Sequence, residues 1–320
     1  MKKIRNLILL LVIVLAVCGC SSESTQVKAT GTEVQTDRGS SGEQLESMMY
    51  PVTVSHGAGD LIVENKPSRI LSLSPAATEI LFAIGAGHQV YAVDDQSNYP
   101  PEAPTTGISG YAPNLEAILG MEPDLVVHSY LPEDLETSLA NVGIPSMAQF
   151  AASSLADTYE QIEMLGIATD NQQAAEGLIS SMKLEIQILV DKAEILGGGT
   201  FYHELDQTYY SVTSSTFIGE IYTLLGLENI ADDADPDGSG YPQLTEEYIL
   251  AQNPDFIFLA DIKCCGQTSA TVNSRPGWGA LSAVQENVVI ELDDDIASRW
   301  GPRVVNFISE IVNAMEQRAS

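Results

Sequence analysis

One pattern of helix and strand signals occurs twice in this chain, about 130 residues apart, and it restricts the fold more than any other feature. The first copy is Asn114-Leu115-Glu116-Ala117-Ile118-Leu119, then Pro123-Asp124-Leu125-Val126-Val127. The second is Thr245-Glu246-Glu247-Tyr248-Ile249-Leu250, then Pro254-Asp255-Phe256-Ile257-Phe258. Each opens with a residue suited to cap a helix, carries a glutamate two positions later, runs through an Ile-Leu pair and stops at Pro-Asp before an apolar stretch. A capping oxygen accepts a bond from an early helical N–H, and a nearby carboxylate suits the positive end of the helix. Proline ends the helix, and the apolar run after it reads as a buried strand. A helix–strand unit repeated in this way implies two similar lobes. Two matched lobes suit a protein that closes on a ligand in the cleft between them.

The segments ahead of each copy repeat as well. Arg69 to Ser74 is a short apolar strand, Ser74-Pro75-Ala76-Ala77-Thr78-Glu79 opens a helix that ends at Gly85-Ala86-Gly87, and Val90 to Val93 is the next strand. In the second half, Thr200 to His203 begins a strand and Thr216 to Leu225 reads as a helix stopped by Gly226. Strands alternating with helices imply parallel sheets. Between the halves, Asn171 to Leu196 contains no proline and ends at Gly197-Gly198-Gly199. Its apolar residues Leu178, Met182, Ile186, Leu189 and Ile195 fall at roughly helical spacing. A helix of ~25 residues is about 37 Å long, enough to bridge two lobes, and as a rigid link it limits them to small rotations. Val304 to Met315 is a closing amphipathic helix. The expected fold class is therefore α/β: two lobes with parallel-type sheets flanked by helices, joined by one long backbone helix. The expected boundaries are 49–170 for the N-terminal lobe, 171–197 for the interlobe helix and 198–320 for the C-terminal lobe.

Residues 1–19 read as a signal peptide. Lys2, Lys3 and Arg5 precede an apolar run from Leu7 to Val17 that is too short for an ordinary membrane span. The run ends Val17-Cys18-Gly19-Cys20-Ser21-Ser22, which resembles a bacterial lipobox with Cys20 as the lipidated residue. Cys18 fits less well, because the large Val17 precedes it. Residues 20–48 then combine the lipidated cysteine with a flexible tether rich in Ser, Thr, Gly, Gln and Glu, long enough to reach about 30 Å. With 44 acidic and 14 basic residues the net charge is −30, which repels nucleic acid and anionic lipid heads. The expected location is the extracytoplasmic face of the cell membrane, touched only through the lipid anchor, with no nucleic-acid partner.

Other chemistries find little support. Beyond the signal region the cysteines are the adjacent pair Cys264-Cys265. Neighbouring Cα atoms sit about 3.8 Å apart, below the usual disulfide window of roughly 4.4–6.8 Å. The pair is either a strained vicinal disulfide or two free thiols. His56, His88, His128 and His203 are scattered without metal-ligand spacing, so no metal site is assigned. His128 ends a strand and reads either as a cleft-facing ligand or as a satisfied polar residue. The acidic loop Asp232 to Gly238 lacks the spacing of a calcium loop and reads as a solvated turn. No G-x-S-x-G or G-x-x-x-x-G-K-[ST] motif occurs, which disfavours a serine hydrolase and excludes a P-loop ATPase. No catalytic residue and no cofactor are assigned; an exported lipoprotein hydrolase remains a distant alternative.

Taken together, RILSLSPAATEILFAIGAGHQVYAV, SNYPPEA, NLEAI…PDLVV, LTEEYILAQNPDFIFL and SRWGPRVV resemble the helical-backbone class of solute-binding proteins of ABC importers, over about residues 50–318. That class serves cobalamin, ferric siderophores and haem. SPAATEILFAIG and SNYPPEA are most similar to its cobalamin-binding member. The resemblance implies ligand contacts at Tyr210, Tyr241, Asp295 and Arg299, with Tyr111 one position from a further ligand aromatic. Gln96 stands where the family has a tyrosine, and Ser129 or Tyr130 where it has a tryptophan, so the stacking surface would be rich in Tyr instead of Trp. Glu116 and Glu247 match the two family glutamates, one per lobe, that meet arginines on the two permease subunits.

The resulting expectation is a monomeric, lipid-anchored binding protein that captures cobalamin or a related corrinoid and delivers it to an ABC permease dimer with its ATPase subunits. A ferric siderophore or haem is the alternative ligand. Loop aromatics supply large apolar walls with polar tips. Tyr99, Tyr111, Tyr130, Tyr209, Tyr210, Tyr241 and Trp300 are the candidates, whereas Trp278 reads as structural.

Overall fold

The structure, a computed structural model, describes residues 50–320. The expected signal peptide, Cys20 and the tether lie outside the described residues. The described chain opens with an antiparallel hairpin, β1 (Val52–His56) and β2 (Gly59–Val63). The first lobe then runs β3 (Ile70–Leu73), α1 (Pro75–Ala83), β4 (Val90–Val93), α2 (Leu115–Gly120), β5 (Leu125–His128), α3 (Glu133–Asn141), β6 (Ser146–Ala148) and α4 (Leu155–Thr169). A single helix, α5 (Gln172–Leu196), follows. The second lobe runs β7 (Gly199–Glu204), α6 (Phe217–Leu224), β8 (Leu227–Asn229), α7 (Glu246–Gln252) and β9 (Phe256–Leu259). It continues through the short helices α8 (Ile262–Cys265), α9 (Ser269–Asn273) and α10 (Ser282–Gln285) to β10 (Val289–Glu291) and α11 (Asp294–Ser298). The chain closes with α12 (Val304–Ala319).

The two sheets are the same sheet built twice. The first has strand order β4-β3-β5-β6 and the second, read in the same sense, β8-β7-β9-β10; every pairing in both is parallel. Parallel strands are covered on both faces, so they carry unbroken apolar runs. Leu125, Val126 and Val127 are all buried, as are Phe256 to Leu259. On β5 the side chains alternate: Leu125 and Val127 join the core that contains Ile162 and Leu165 of α4, whereas Val126 packs with Ile118, Leu135 and Leu139 on the other face.

The repeated punctuation does the same work in each lobe. Asn114 caps α2 by accepting from the Ala117 amide at 3.0 Å, and Thr245 caps α7 by accepting from the Tyr248 amide at 3.2 Å. Just before each proline the chain enters the left-handed region, at Glu122 (φ 49°) and Asn253 (φ 48°), which turns it out of the helix. The aspartate after the proline then clamps the start of the neighbouring strand. Asp124 accepts from the amides of Ser68 at 2.7 Å and Arg69 at 2.9 Å, and Asp255 accepts from the Thr200 amide at 2.8 Å.

Helix α5 packs between α4 and α12 and buries Ala175, Met182, Ile186 and Ala193 along one stripe. Helix α12 presents Val304, Phe307, Ile308, Ile311, Val312 and Met315 to the core. Where α6 begins, the chain folds back so tightly that a Cβ on Gly219 would lie 2.0 Å from the Thr213 carbonyl oxygen, so only glycine fits. Among the described residues no helix is long and apolar enough to cross a membrane.

Candidate functional site

The C-terminal edge of the first sheet is unusually polar for a buried region. β3 ends at Leu73, and Ser74 caps α1 by accepting from the Ala77 amide at 3.3 Å. The Ser129 hydroxyl, just past β5, donates to Ser74 Oγ at 2.6 Å. Beneath them the Thr78 hydroxyl is hydrogen-bonded to the Ser72 and Ser97 hydroxyls at 2.8 and 3.0 Å. β4 leads into Asp94, whose Oδ1 accepts from the amides of Gln96 and Ser97 at 2.8 and 2.7 Å. Two loops add Tyr111 and Tyr130. From the second lobe, α11 and the residues after it bring Asp295, Arg299 and Trp300 to the same place. These groups enclose a cavity of about 360 Å³ between the lobes. A larger hollow of about 660 Å³ lies between β2 and α3, but it has no contribution from the second lobe.

An ionic network ties the lobes together at the cavity rim. Glu79 on α1 has its side chain only 1% exposed and receives Arg299 at 3.1 Å and Arg303 at 2.5 Å. Arg299 also donates to the Asn98 side chain at 2.9 Å, to the Gln96 carbonyl at 3.0 Å and to Asp295 at 2.7 Å. Asp295 accepts in addition from Asn98 at 3.0 Å and Lys263 at 2.8 Å. Burial raises the pKa of the Asp295 carboxyl, but the hydrogen bonds from Lys263 and Asn98 and the Arg299 and Lys263 charges outweigh it and hold the group below the usual range. Tyr99 lies under the Arg303 guanidinium, 4.2 Å from its ring centre, and so belongs to this network.

The same strand edge in the second lobe carries buried charge. Glu204, at the end of β7, is fully buried and paired with Arg275 through two bonds of 2.6 Å. Asp261, just past β9, is also fully buried. Burial pushes its carboxyl up to about 7, the neighbouring Glu204 charge adding to the shift and Arg275 opposing it.

Of the five ligand residues expected from sequence, Tyr111, Asp295 and Arg299 line the interlobe cavity, together with Gln96, Ser129 and Tyr130. Tyr210 and Tyr241 are not in its wall. They sit in two segments of the second lobe joined by an antiparallel bridge between Tyr210 and Gln243, and both are exposed. Tyr209 stacks on Trp278 at 5.9 Å, and Trp278 is buried with its indole N–H on Glu246. Trp300 is half-buried and donates to Gln161 at 3.1 Å. Glu116 and Glu247 occupy the same first-turn position of α2 and α7, and both side chains are exposed.

His128 fits neither of its two sequence readings as stated. It is buried at the end of β5, neither ring nitrogen has a partner among the described residues, and it is not in the cavity wall. Burial lowers its pKa to about 4. Cys264 and Cys265 are exposed free thiols at the end of α8. Among the described residues no group of three or more His, Cys, Asp or Glu side chains is arranged to hold a metal. In the acidic loop, Asp235 accepts from the Ser239 and Gly240 amides, which makes it a hydrogen-bonded turn.

Sequence reasoning missed Glu79, Asp94 and Asn98. A signal for Glu79 was present, since it is the one charged residue in the otherwise apolar helix run PAATEILFA. Asp94 offered none, because an Asp-Asp pair in a loop reads as solvated.

Comparison with known proteins agrees with this architecture. The pattern of the periplasmic binding protein family matches residues 70–296. An uncharacterised ABC transporter substrate-binding lipoprotein of Bacillus subtilis is 27% identical, covering 96% of this chain and 95% of its own. The vitamin B12-binding protein of Vibrio parahaemolyticus is 29% identical over 80% of this chain and 92% of its own. Among solved structures, the periplasmic vitamin B12-binding protein of Vibrio cholerae superposes with a TM-score of 0.64 and 25% identity, covering 79% of this chain and 98% of that one. The family pattern runs through both sheets and reaches α11 at the cavity, and the chain belongs to the periplasmic binding protein family.

Proposed function

We propose that this protein is the lipid-anchored solute-binding protein of an ABC importer, which captures cobalamin or a related corrinoid between its lobes and delivers it to the permease. The observation that carries the reading is the interlobe cavity, walled by Tyr111 from one lobe and by Asp295 and Arg299 from the other. Relatives named for vitamin B12 and for ABC transport, covering most of their own length, support the ligand class and the role. A space of about 360 Å³ suits a drug-sized molecule. A corrinoid is larger, so it enters by its edge and the rest of its ring stands against exposed aromatics such as Tyr210 and Tyr241. Affinity comes from desolvating a broad apolar ring between tyrosine walls, and the polar rim fixes orientation.

Nothing in this role requires a catalytic group. Cys20 would carry the lipid and hold the protein at the extracytoplasmic face of the membrane. Glu116 and Glu247, one exposed carboxylate per lobe, would meet basic groups on the two permease subunits and set orientation and encounter rate more than affinity. The test is calorimetric titration with cyanocobalamin, haem and a ferric hydroxamate. One-to-one binding of cobalamin alone supports the reading. Silence toward cobalamin with binding of either iron complex overturns the ligand and leaves the transport role.

A further inference from the structure

Asp295 and Arg299 are the two charged residues that the second lobe contributes to the cavity wall, and one side chain of the first lobe holds both. Asn98 donates from Nδ2 to Asp295 Oδ2 at 3.0 Å and accepts at Oδ1 from Arg299 Nη1 at 2.9 Å. Its carboxamide thus uses a donor and its acceptor at once, across the boundary between the lobes. The orientation of the amide follows from its partners, since a carboxylate accepts and a guanidinium only donates.

The Asp295–Arg299 pair does not depend on Asn98 for its shape. Arg299 Nη2 donates to Asp295 Oδ1 at 2.7 Å and to the Gln96 carbonyl at 3.0 Å, and Nη1 reaches Glu79 at 3.1 Å. Lys263 donates to Asp295 Oδ2 at 2.8 Å. These bonds keep an acceptor, Asp295 Oδ2, and a donor, Arg299 Nη1, fixed side by side. Both side chains line the cavity and retain exposure, 22% for Asp295 and 11% for Arg299. Asn98 itself is exposed, and the backbone around it is anchored independently: the Ser97 amide donates to Asp94 at 2.7 Å, and Tyr99 lies under Arg303. The Asn98 side chain can therefore swing into solvent by rotation about its own bonds, without moving the loop.

The pair also defines what can take the place of Asn98. A carboxamide matches both partners, with N–H toward Asp295 and oxygen toward Arg299. A carboxylate satisfies Arg299 but sets like charge against Asp295, and an ester supplies no donor.

We propose that Asn98 is an intramolecular stand-in for the ligand: its carboxamide holds Asp295 and Arg299 across the lobe boundary, and a carboxamide on the ligand's rim displaces it and takes over both bonds. This rests on the corrinoid reading above and names the rim chemistry that the site selects. Corrinoids of the cobalamin series carry their rim substituents as carboxamides, whereas a porphyrin such as haem carries carboxylates. The ligand competes with the protein's own side chain, so the apparent affinity lies below the intrinsic one.

The experiment titrates the full-length chain, purified in detergent, with dicyanocobinamide and with dicyanocobyrinic acid heptamethyl ester, corrins whose rims carry carboxamides and esters. Asn98→Ala removes the competitor. It should bind the amide corrin about 5- to 50-fold more tightly than wild type, the range expected when two hydrogen bonds need no longer be broken. The ester corrin, which cannot replace Asn98, should gain less than about twofold. A side chain with a merely structural role would leave both affinities unchanged or weaken both. Asn98→Ser, too short to span both partners, is the second variant, and melting temperatures report whether each has folded. A folded variant that binds the amide corrin no more tightly than wild type overturns the role of Asn98 and leaves the corrinoid reading standing. An equal gain for both corrins overturns the carboxamide exchange. A wild type that binds neither corrin overturns the exchange and the corrinoid reading together.

Discussion

Arg299, just past α11, reaches Glu79 on α1 at 3.1 Å, and with Arg303 it makes that buried carboxylate the electrostatic joint between the lobes. Removing one partner from such a cluster leaves the others buried and uncompensated. Glu79→Gln should lower stability by about 2–4 kcal/mol in urea denaturation. An unchanged midpoint would mean that the two guanidinium groups are satisfied from elsewhere.

The docking proposal separates binding from delivery. Reversing charge at Glu116 and Glu247 together, each to Lys, should abolish uptake in cells that depend on the ligand, because two exposed carboxylates become two repulsive contacts. Calorimetry on the same variant should give the wild-type affinity. Uptake that survives the double reversal would assign both residues to ordinary helix-start stabilisation.

Both aromatic walls should contribute to binding. Tyr111→Ala removes a cavity wall, and Tyr241→Ala removes an exposed ring beside it in the proposed complex. Each should weaken cobalamin binding by about 1–2 kcal/mol, chiefly through faster dissociation in surface plasmon resonance. A loss at Tyr111 with none at Tyr241 would confine the ligand to the enclosed space.

Asp261 should make the fold less stable in mild alkali. Its folded carboxyl titrates near 7 against an ordinary value of 3.8. Between those values the folded chain keeps a proton that the unfolded chain has released, so the group's contribution is greatest in acid and is lost as pH rises through about 7. Asp261→Asn should therefore gain on wild type at about pH 8 and differ little at about pH 4. Urea midpoints at the two pH values decide it, and an equal difference at both would exclude proton uptake at this site.

His128 acts in the opposite sense. Its folded pKa is about 4 against an ordinary 6.5, so below 6.5 the unfolded chain binds a proton that the folded chain refuses. Stability from this residue is present above 6.5 and is lost as pH falls toward 4. Leucine at this buried, unpartnered position should remove that loss and flatten the acid limb of a stability–pH curve. A curve with the wild-type slope would place the acid sensitivity on other groups, such as His203, whose pKa burial lowers to about 3.

The fold was legible wherever its cause is local. Capping by Asn114 and Thr245, the stop at Pro123 and Pro254, and the uninterrupted course of α5 are all decided within a few residues. What Asp124 and Asp255 do was not legible, because the backbone each clamps is 55 or 56 positions away for its amide bonds to Ser68, Arg69 and Thr200. The same limit applies to the site. Resemblance picked out Tyr111, Asp295 and Arg299, which meet at one cavity, but Glu79 is recognised by Arg299 and Arg303 from 220 and 224 positions away. Asp94 looks like a solvated acid in sequence, and only its complete burial in the folded chain reveals otherwise.

Because the two sheets share one strand order, the exposed Glu116 and Glu247 of this molecule hold matching places in its two lobes. A partner built from two identical subunits would then accept it in either of two orientations, so an arrival facing the wrong way round is not wasted. A single chain would thereby gain the collision statistics of a symmetric dimer, while the cavity between its lobes is lined by side chains that the two lobes do not share.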